Sequence, residues 1–442
     1  VEGHVPDFDL GQALARLEGA SPRRESGRVT EVTGLVIRAL VPGLRVGELV
    51  EIEPPHRDAP ALQAEVVGFR GDEAVLMPLG EPAGIGADSL VTPTGRPFEI
   101  GASDRLLGRV LDGLGRPMDG GGPIAGAVPF AVDRPAPEPL SRRRVTRPLP
   151  LGVRVLDALL TVGEGQRVGL FAGSGVGKST LMGQIARQTE ADVAVIALVG
   201  ERGRELVDFL DESLGAAGRA RSVVVCATSD APSLVRLKAA FVATAVAEYF
   251  RDQGRRVLFM LDSVTRVARA QREVGLAAGE PPARQGYPPS VFALLPRLLE
   301  RTGTSARGSI TALYTVLVAG GDMEEPIADE VRGILDGHVI LSRDIAARNQ
   351  WPAVDVLPSL SRLMSAVAAP EHRAAAGRLR ELLAAYERQR DLILLGAYQR
   401  GSDPVTDEAI ARMGRINAFL GQLTDEAAPF EETVAQLRAL VT

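Results

Sequence analysis

The segment AGSGVGKST, residues 172–180, restricts most strongly what this chain can fold into. It follows the apolar run RVGLFA and opens STLMGQIARQ, a stretch with helical spacing. A strand, a glycine-rich turn and a helix in that order make a phosphate-binding P-loop, which sits at the edge of an α/β sheet. Gly173, Gly175 and Gly177 let backbone N–H groups curl round phosphate oxygens with no Cβ in the way, and Ser174 and Val176 complete the loop. The helix beginning near Lys178 turns its N-terminal dipole to the same anion. Lys178 is placed to reach the β- and γ-phosphates of ATP. The Ser179 hydroxyl is placed to ligate Mg²⁺, with Thr180 beside it. The strict motif begins with Gly where this chain has Ala172, but the anion contacts fall on the later residues. A glycine-rich turn with a surface lysine is the bland alternative. It would need the strand, the GKS triplet and the amphipathic helix to coincide by chance.

The rest of the chain supplies a sheet for this loop. DVAVIALV (192–199), SVVVCATS (222–229), RVLFMLD (256–262), SITALYTV (309–316) and HVIL (338–341) read as further buried strands, with helical stretches between several of them. That alternation predicts a mostly parallel sheet with helices on both faces, an α/β core over 98–366 once a Gly-, Pro- and Arg-rich connector at 120–150 is included. Upstream, GRVTEVTGLVIRAL, ELVEIE, LQAEVVGF and EAVLMPLG are short β-branched runs broken by Gly and Pro, and predict a small β-barrel over 26–97. Downstream, Leu379, Leu382, Leu383 and Tyr386 share one helix face, and a helical domain is expected over 367–442. Residues 1–25 hold one more helical segment, with Leu10, Leu14 and Leu17 on a stripe. It reads equally as a frayed terminal helix or as an amphipathic helix that docks on a partner or membrane surface.

Composition narrows the function classes. A chain of 442 residues, 45% hydrophobic and 24% charged, can bury sizeable cores. No apolar run reaches the ~18 residues of a spanning helix, and Val1 to Leu10 shows no signal-peptide pattern. The lone Cys226 excludes an internal disulfide, and His4, His56, His338 and His372 lack metal-ligand spacing. These features suit the cytosol. A net charge of −6 argues against nucleic acid as the main ligand. The cluster Arg142, Arg143, Arg144 and Arg147 reads as a solvated linker.

Two carboxylates complete the candidate site. Asp262 ends a buried run at the strand edge where ligands bind in open α/β sheets, and can hold the Mg²⁺ hydration shell. Standing alone, it would read as a helix cap. Glu201 lies just past another buried strand and can orient or deprotonate the attacking water. A local salt-bridge cluster of Glu201, Arg202, Arg204 and Glu205 is equally compatible with spacing alone.

GERGRE (200–205), GEPPARQGYPPSVFALLPRLLER (279–301), PIADEVRGILDGHVILSR (326–343), SLSRLM (359–364) and GAYQRGSDP (396–404) resemble the type III secretion ATPases, which are similar in fold to the catalytic subunits of rotary ATP synthases. The resemblance implies an N-terminal β-barrel, a RecA-like core, a helical C-terminal domain and a homohexamer with nucleotide sites between subunits. By it, Glu201 matches the catalytic glutamate, where non-catalytic subunits carry glutamine, and Arg202 neighbours the γ-phosphate. Arg362 matches an arginine finger that reaches the adjacent subunit's nucleotide, although alone it would read as a surface arginine. Trp351 stands where relatives carry an adenine-stacking Tyr and keeps a flat π-face; core filler is the rival reading. The segment Glu280 to Ser290 matches a loop facing the central channel.

The partners implied are a stator-like regulator, a central stalk protein, secretion chaperones and export substrates. The implied location is the cytoplasmic face of the bacterial inner membrane, in peripheral contact with the export gate. VPGLRVGELVEI (41–52) and LQAEVVGFRGDEAVLMPLGEPAGI (62–85) lean to the injectisome branch. The flagellar export ATPase and the catalytic subunit of a rotary F/V-type ATPase are the competing enzyme readings. A hexameric RNA-translocating terminator would need a basic, aromatic N-terminal patch. A chaperone platform that binds ATP without using it is opposed by intact Lys178, Glu201, Asp262 and Arg362.

Overall fold

The computed structural model describes residues 25–55, 60–173 and 175–442. The helical segment expected within residues 1–25, together with His4, His56 and Ser174, falls on residues outside these, Glu25 excepted. The chain divides into two compact units after Phe98.

In the first unit β1 (Gly27–Thr33), β2 (Val36–Leu40), β3 (Glu48–Glu53), β4 (Leu62–Arg70), β5 (Glu73–Pro78) and β6 (Leu90–Pro97) close a barrel in the order β1-β2-β5-β4-β3-β6. Alternation along the strands turns Ile37, Val50, Ile52, Val66, Leu76 and Val91 into a closed apolar interior. The sequence reading had missed β6. Its Pro93 and Pro97 break the strand pattern, yet both pair with β3.

The second unit holds a mixed sheet. Its strands are β8 (Val110–Asp112), β10 (Arg167–Ala172), β11 (Val193–Glu201), β12 (Ser222–Thr228), β13 (Arg256–Asp262), β14 (Gly303–Thr304), β15 (Ser309–Leu317), β16 (Gly337–Leu341) and β17 (Val354–Ser361). The order is β17-β16-β10-β15-β13-β11-β12-β8, with β14 on β15. β7 (Glu99–Ala102) and β9 (Val128–Ala131) form a separate pair. All neighbours in the main sheet are parallel except β14 with β15 and β16 with β17. All nine residues of β11 are buried, as expected of a strand covered on both faces. The sequence reading had not included β8, β14 and β17. β8 and β14 are two or three residues long, and β17 carries an inner proline, Pro358.

The helix Lys178–Gln188 follows β10, and the twenty-residue helix Ser233–Asp252 packs on β11, β12 and β13. After β17 come the helices Pro370–Leu394, Pro404–Leu420 and Phe430–Val441. Leu379 and Leu382 are fully buried, with Leu383 and Tyr386 packed beside them. These side chains belong to the same apolar cluster as Leu181 and Met182 of the helix behind the P-loop. The C-terminal helices therefore share a core with the nucleotide-loop helix. Among the described residues, no helix is long and apolar enough to cross a membrane.

The connector is not simply solvated. Arg142 donates to the carbonyls of Thr302 and Glu300, and Arg143 to that of Ser305 at 3.0 Å. Helix and strand ends leave such carbonyls unpaired, and the two guanidiniums satisfy them.

Candidate nucleotide site

The parallel strands deliver their C-terminal ends to one edge, and three of those ends build the site. β10 leads into the loop at Gly173, β11 ends at Glu201 and β13 ends at Asp262. Gly175 and Gly177 take φ of 79° and 77°, a region that favours glycine. Gly177 caps the helix that starts at Lys178.

Lys178 Nζ donates to Asp262 Oδ1 at 2.5 Å and lies 3.7 Å from Glu201 Oε1. Asp262 is 2% exposed, and Oδ1 also accepts from Thr315 Oγ1 on β15 at 2.7 Å. Glu201 is 8% exposed. Its Oε2 accepts from Arg266 Nη2 at 3.2 Å, whereas Oε1 is buried without an aligned donor. Burial, and next the negative charge of Asp262, push the Glu201 carboxyl up to about 7. A carboxylate so tuned exchanges protons near neutral pH, as a base acting on water requires.

Arg266 is the residue the sequence reading missed. It stands one turn into the helix Val264–Ala277, which follows Asp262 directly. Its position four residues after the β13 carboxylate was the available signal. Gly200 makes room for it: with φ of 72°, an added Cβ there would come within 2.8 Å of Arg266 Cδ.

The local ion-pair reading of GERGRE holds for Arg202 and Glu205 but not for Glu201 or Arg204. Glu201 turns inward to Lys178 and Arg266, while Arg202 faces Glu205 at 3.9 Å and Arg204 faces Asp208 at 3.1 Å. The Arg202 side chain is 78% exposed and is not brought to Lys178. Ser179 and Thr180 are exposed at the start of their helix.

Trp351 joins the site from the β16–β17 connection. An added Cβ on Gly177 would meet its ring at 2.7 Å. The indole is 38% exposed and lines a cleft of about 1070 Å³ together with Asn349, Gly421, Gln422 and Leu423. A half-open ring on a cleft is not core filler. Its Nε1 donates to Asn349 Oδ1 at 3.1 Å, and its carbonyl accepts from Gln422 N at 2.8 Å.

Arg362 lies elsewhere. β17 runs antiparallel to β16, so Ser361 pairs with Gly337 and Arg362 N donates to the carbonyl of Asp336 at 3.0 Å. This is the N-terminal edge of the sheet, level with the start of β10. The length of β10, at ~3.3 Å per residue, separates Arg362 from its own P-loop by ~20 Å.

The family follows from comparison. Residues 152–361 match the nucleotide-binding domain of the ATP synthase alpha/beta family, residues 29–95 its beta-barrel domain, and residues 368–439 the T3SS EscN ATPase C-terminal domain. The chain is 56% identical to a type 3 secretion system ATPase of Xanthomonas euvesicatoria, over 94% of each chain. The chain belongs to the type III secretion and flagellar export ATPases. A flagellum-specific ATP synthase of Bacillus subtilis is 53% identical over 96% of this chain and 97% of its own. The assembled ATPase EscN of enteropathogenic E. coli superposes with a TM-score of 0.89 at 45% identity, covering 94% of this chain and all of that one. Like these relatives, the chain is an ATPase, with an α/β nucleotide-binding core, a six-stranded barrel and a helical C-terminus.

Proposed function

We propose that Lys178, Glu201 and Asp262 hydrolyse MgATP in a homohexameric ring that energises protein export through an injectisome. The observation that carries the chemistry is the meeting of these three side chains at one sheet edge, with Lys178 Nζ 2.5 Å from Asp262 and 3.7 Å from Glu201.

The residues fit magnesium. The donors are hard oxygens, the Ser179 hydroxyl and the Asp262 carboxylate, as this ion prefers. The buried Oε1 of Glu201, without an aligned donor, adds negative potential beside them. When bound, Mg²⁺ neutralises charge on the β- and γ-phosphate oxygens. The chain's own groups do the rest. Gly173 to Thr180, Ser174 included, cradle the phosphates. Lys178 exchanges Asp262 for phosphate oxygens. Glu201, steadied by Arg266, orients the attacking water and takes its proton. Trp351 stacks the adenine in the cleft beside Gly177. Arg202 neighbours the γ-phosphate once the site is closed. Arg362 serves the site of the adjacent subunit, because the antiparallel turn of β17 carries it away from its own.

Assembly is inferred from EscN, solved as an assembled ATPase and in complex with its central stalk EscO, with a TM-score of 0.87 for the latter. By that likeness this chain forms a ring around a central stalk protein. It works with a stator-like regulator at the cytoplasmic face of the inner membrane, in peripheral contact with the export gate. There, hydrolysis releases chaperones and unfolds export substrates. Domain limits at 26–97, 98–366 and 367–442 are proposed; the family matches span 29–95, 152–361 and 368–439.

The C-terminal match to EscN favours export over a rotary F/V-type ATPase. The flagellar export reading is supported by the Bacillus subtilis relative at 53% identity. Deleting the gene in the native host separates the branches. Loss of needle and effector proteins from the secreted fraction, with swimming intact, is the expected result. Loss of flagellin and swimming would move the chain to the flagellar branch.

A further inference from the structure

The connection between β16 and β17 grips the phosphate loop at both ends. At one end the Trp351 ring lies against Gly177; at the other the Arg343 guanidinium lies against Gly173. A Cβ added to Gly173 would stand 3.0 Å from Arg343 Nε and 3.1 Å from its Nη2. The guanidinium thus fills the space that any side chain at 173 would need. Arg343 is solvent-exposed, and among the described residues its side chain has no hydrogen-bond, ion-pair or ring partner.

The cations at the strand ends, Lys178 and Arg266, are engaged. Lys178 is held by Asp262 and Glu201, and Arg266 by Glu201. Much of the charge of these two cations is thus met within the cluster. Among the described residues, Arg343 is a positive charge beside the loop with no such partner. A planar fork of N–H donors matches phosphate oxygens, and an exposed arginine forms such a bond without breaking an internal one.

We propose that Arg343 is a further phosphate-binding residue of the nucleotide site, contacting the polyphosphate from the Gly173 end of the loop. The inference rests on reading residues 173–180 as that site. It assigns the first loop glycine a second purpose: Gly173 is small so that a cation from the β16–β17 connection can lie over it.

Calorimetric titration of the full chain with MgADP, which is not hydrolysed, tests the proposal. Arg343→Met, which keeps an unbranched stem without the charge, is expected to weaken binding about tenfold, the value of one charge-assisted contact. Arg343→Lys is expected to stay within about threefold of the wild type, and the Arg343→Met deficit should shrink as salt is raised. A thermal melt checks that the variants are folded. Equal affinity of Arg343→Met and wild type would overturn the proposal. So would equal losses in both variants at every salt concentration, which would mark Arg343 as packing alone. Failure of the wild-type chain to bind MgADP would overturn the nucleotide site itself, and this inference with it.

Discussion

Lys178 Nζ is held 2.5 Å from Asp262 Oδ1, so the lysine of the phosphate loop is already neutralised by the carboxylate at the end of β13. The same nitrogen lies 3.7 Å from Glu201. In the proposed mechanism substrate phosphate draws Lys178 away from Asp262 and leaves both carboxylates facing the reacting end of the nucleotide.

Glu201→Gln keeps the size of the side chain and removes the base. Phosphate release is expected to fall by about 10²–10⁴, the usual worth of a positioned proton acceptor. Nucleotide affinity should change little, because Glu201 is not asked to hold the phosphates. A phosphate-release assay paired with calorimetry separates these effects, and an unchanged rate would remove Glu201 from its proposed role.

The pH profile should carry the Glu201 titration. Burial and the charge of Asp262 push this carboxyl up to about 7, so it is largely protonated below that pH and ionised above it. In its proposed role the ionised form takes the proton from water, so kcat/KM should rise through an acid limb near pH 7 and flatten above. The Arg266 cation draws the pKa downward. Arg266→Ala should therefore move the limb to higher pH; a shift to lower pH would contradict this arrangement.

Arg362 makes a test by mixing possible. Arg362→Ala alone should lose activity by about 10³ or more. Combined with Glu201→Gln chains, it should regain measurable hydrolysis, since mixed rings contain interfaces with an intact Glu201 on one side and an intact Arg362 on the other. Steady-state assays of premixed variants show this directly. No recovery at any mixing ratio, with rings confirmed by light scattering, would count against action across the interface.

Trp351 is the sole tryptophan, so its fluorescence reports the proposed base site without labels. Nucleotide should change its intensity or wavelength. Trp351→Ala should raise KM about tenfold or more, the loss of a stacking contact worth ~1–3 kcal/mol, with kcat less affected. Trp351→Tyr should recover most of the affinity. A titration silent in fluorescence would place the base elsewhere.

Gln422 ties the C-terminal region to the core: it accepts from Arg154 N at 2.7 Å and donates to the carbonyl of Gly152 at 2.9 Å. It is 5% exposed. Gln422→Ala strands these groups and should cost ~1–3 kcal/mol of stability, measured by urea unfolding. The same loop holds the carbonyl of Trp351, so nucleotide affinity should weaken with it.

Much of this was legible in the residues themselves. The P-loop is local: strand, glycines, lysine and helix succeed one another, and each follows from backbone freedom or periodicity. The buried runs from 192 to 341 announced parallel strands because a strand covered on both faces is apolar throughout. What escaped were elements whose reason is not local. β6 is tolerated with two prolines because closure of the barrel supplies its partners. Arg266 joins Glu201 only because β11 and β13 are neighbours in the sheet, a distance of 65 residues along the chain.

The sequence by itself determined that a phosphate-binding loop stands on a strand and that carboxylates end the strands following it, because these depend on residue types a few positions apart. Only the tertiary structure decided which side chains meet. Strand order brought Glu201 and Asp262 to Lys178, and the crossing back of β17 set Arg362 at the opposite edge while its connection pressed Arg343 and Trp351 on the two ends of the loop. Strand order and direction are fixed by how buried faces pack together, and no stretch of residues carries that information alone.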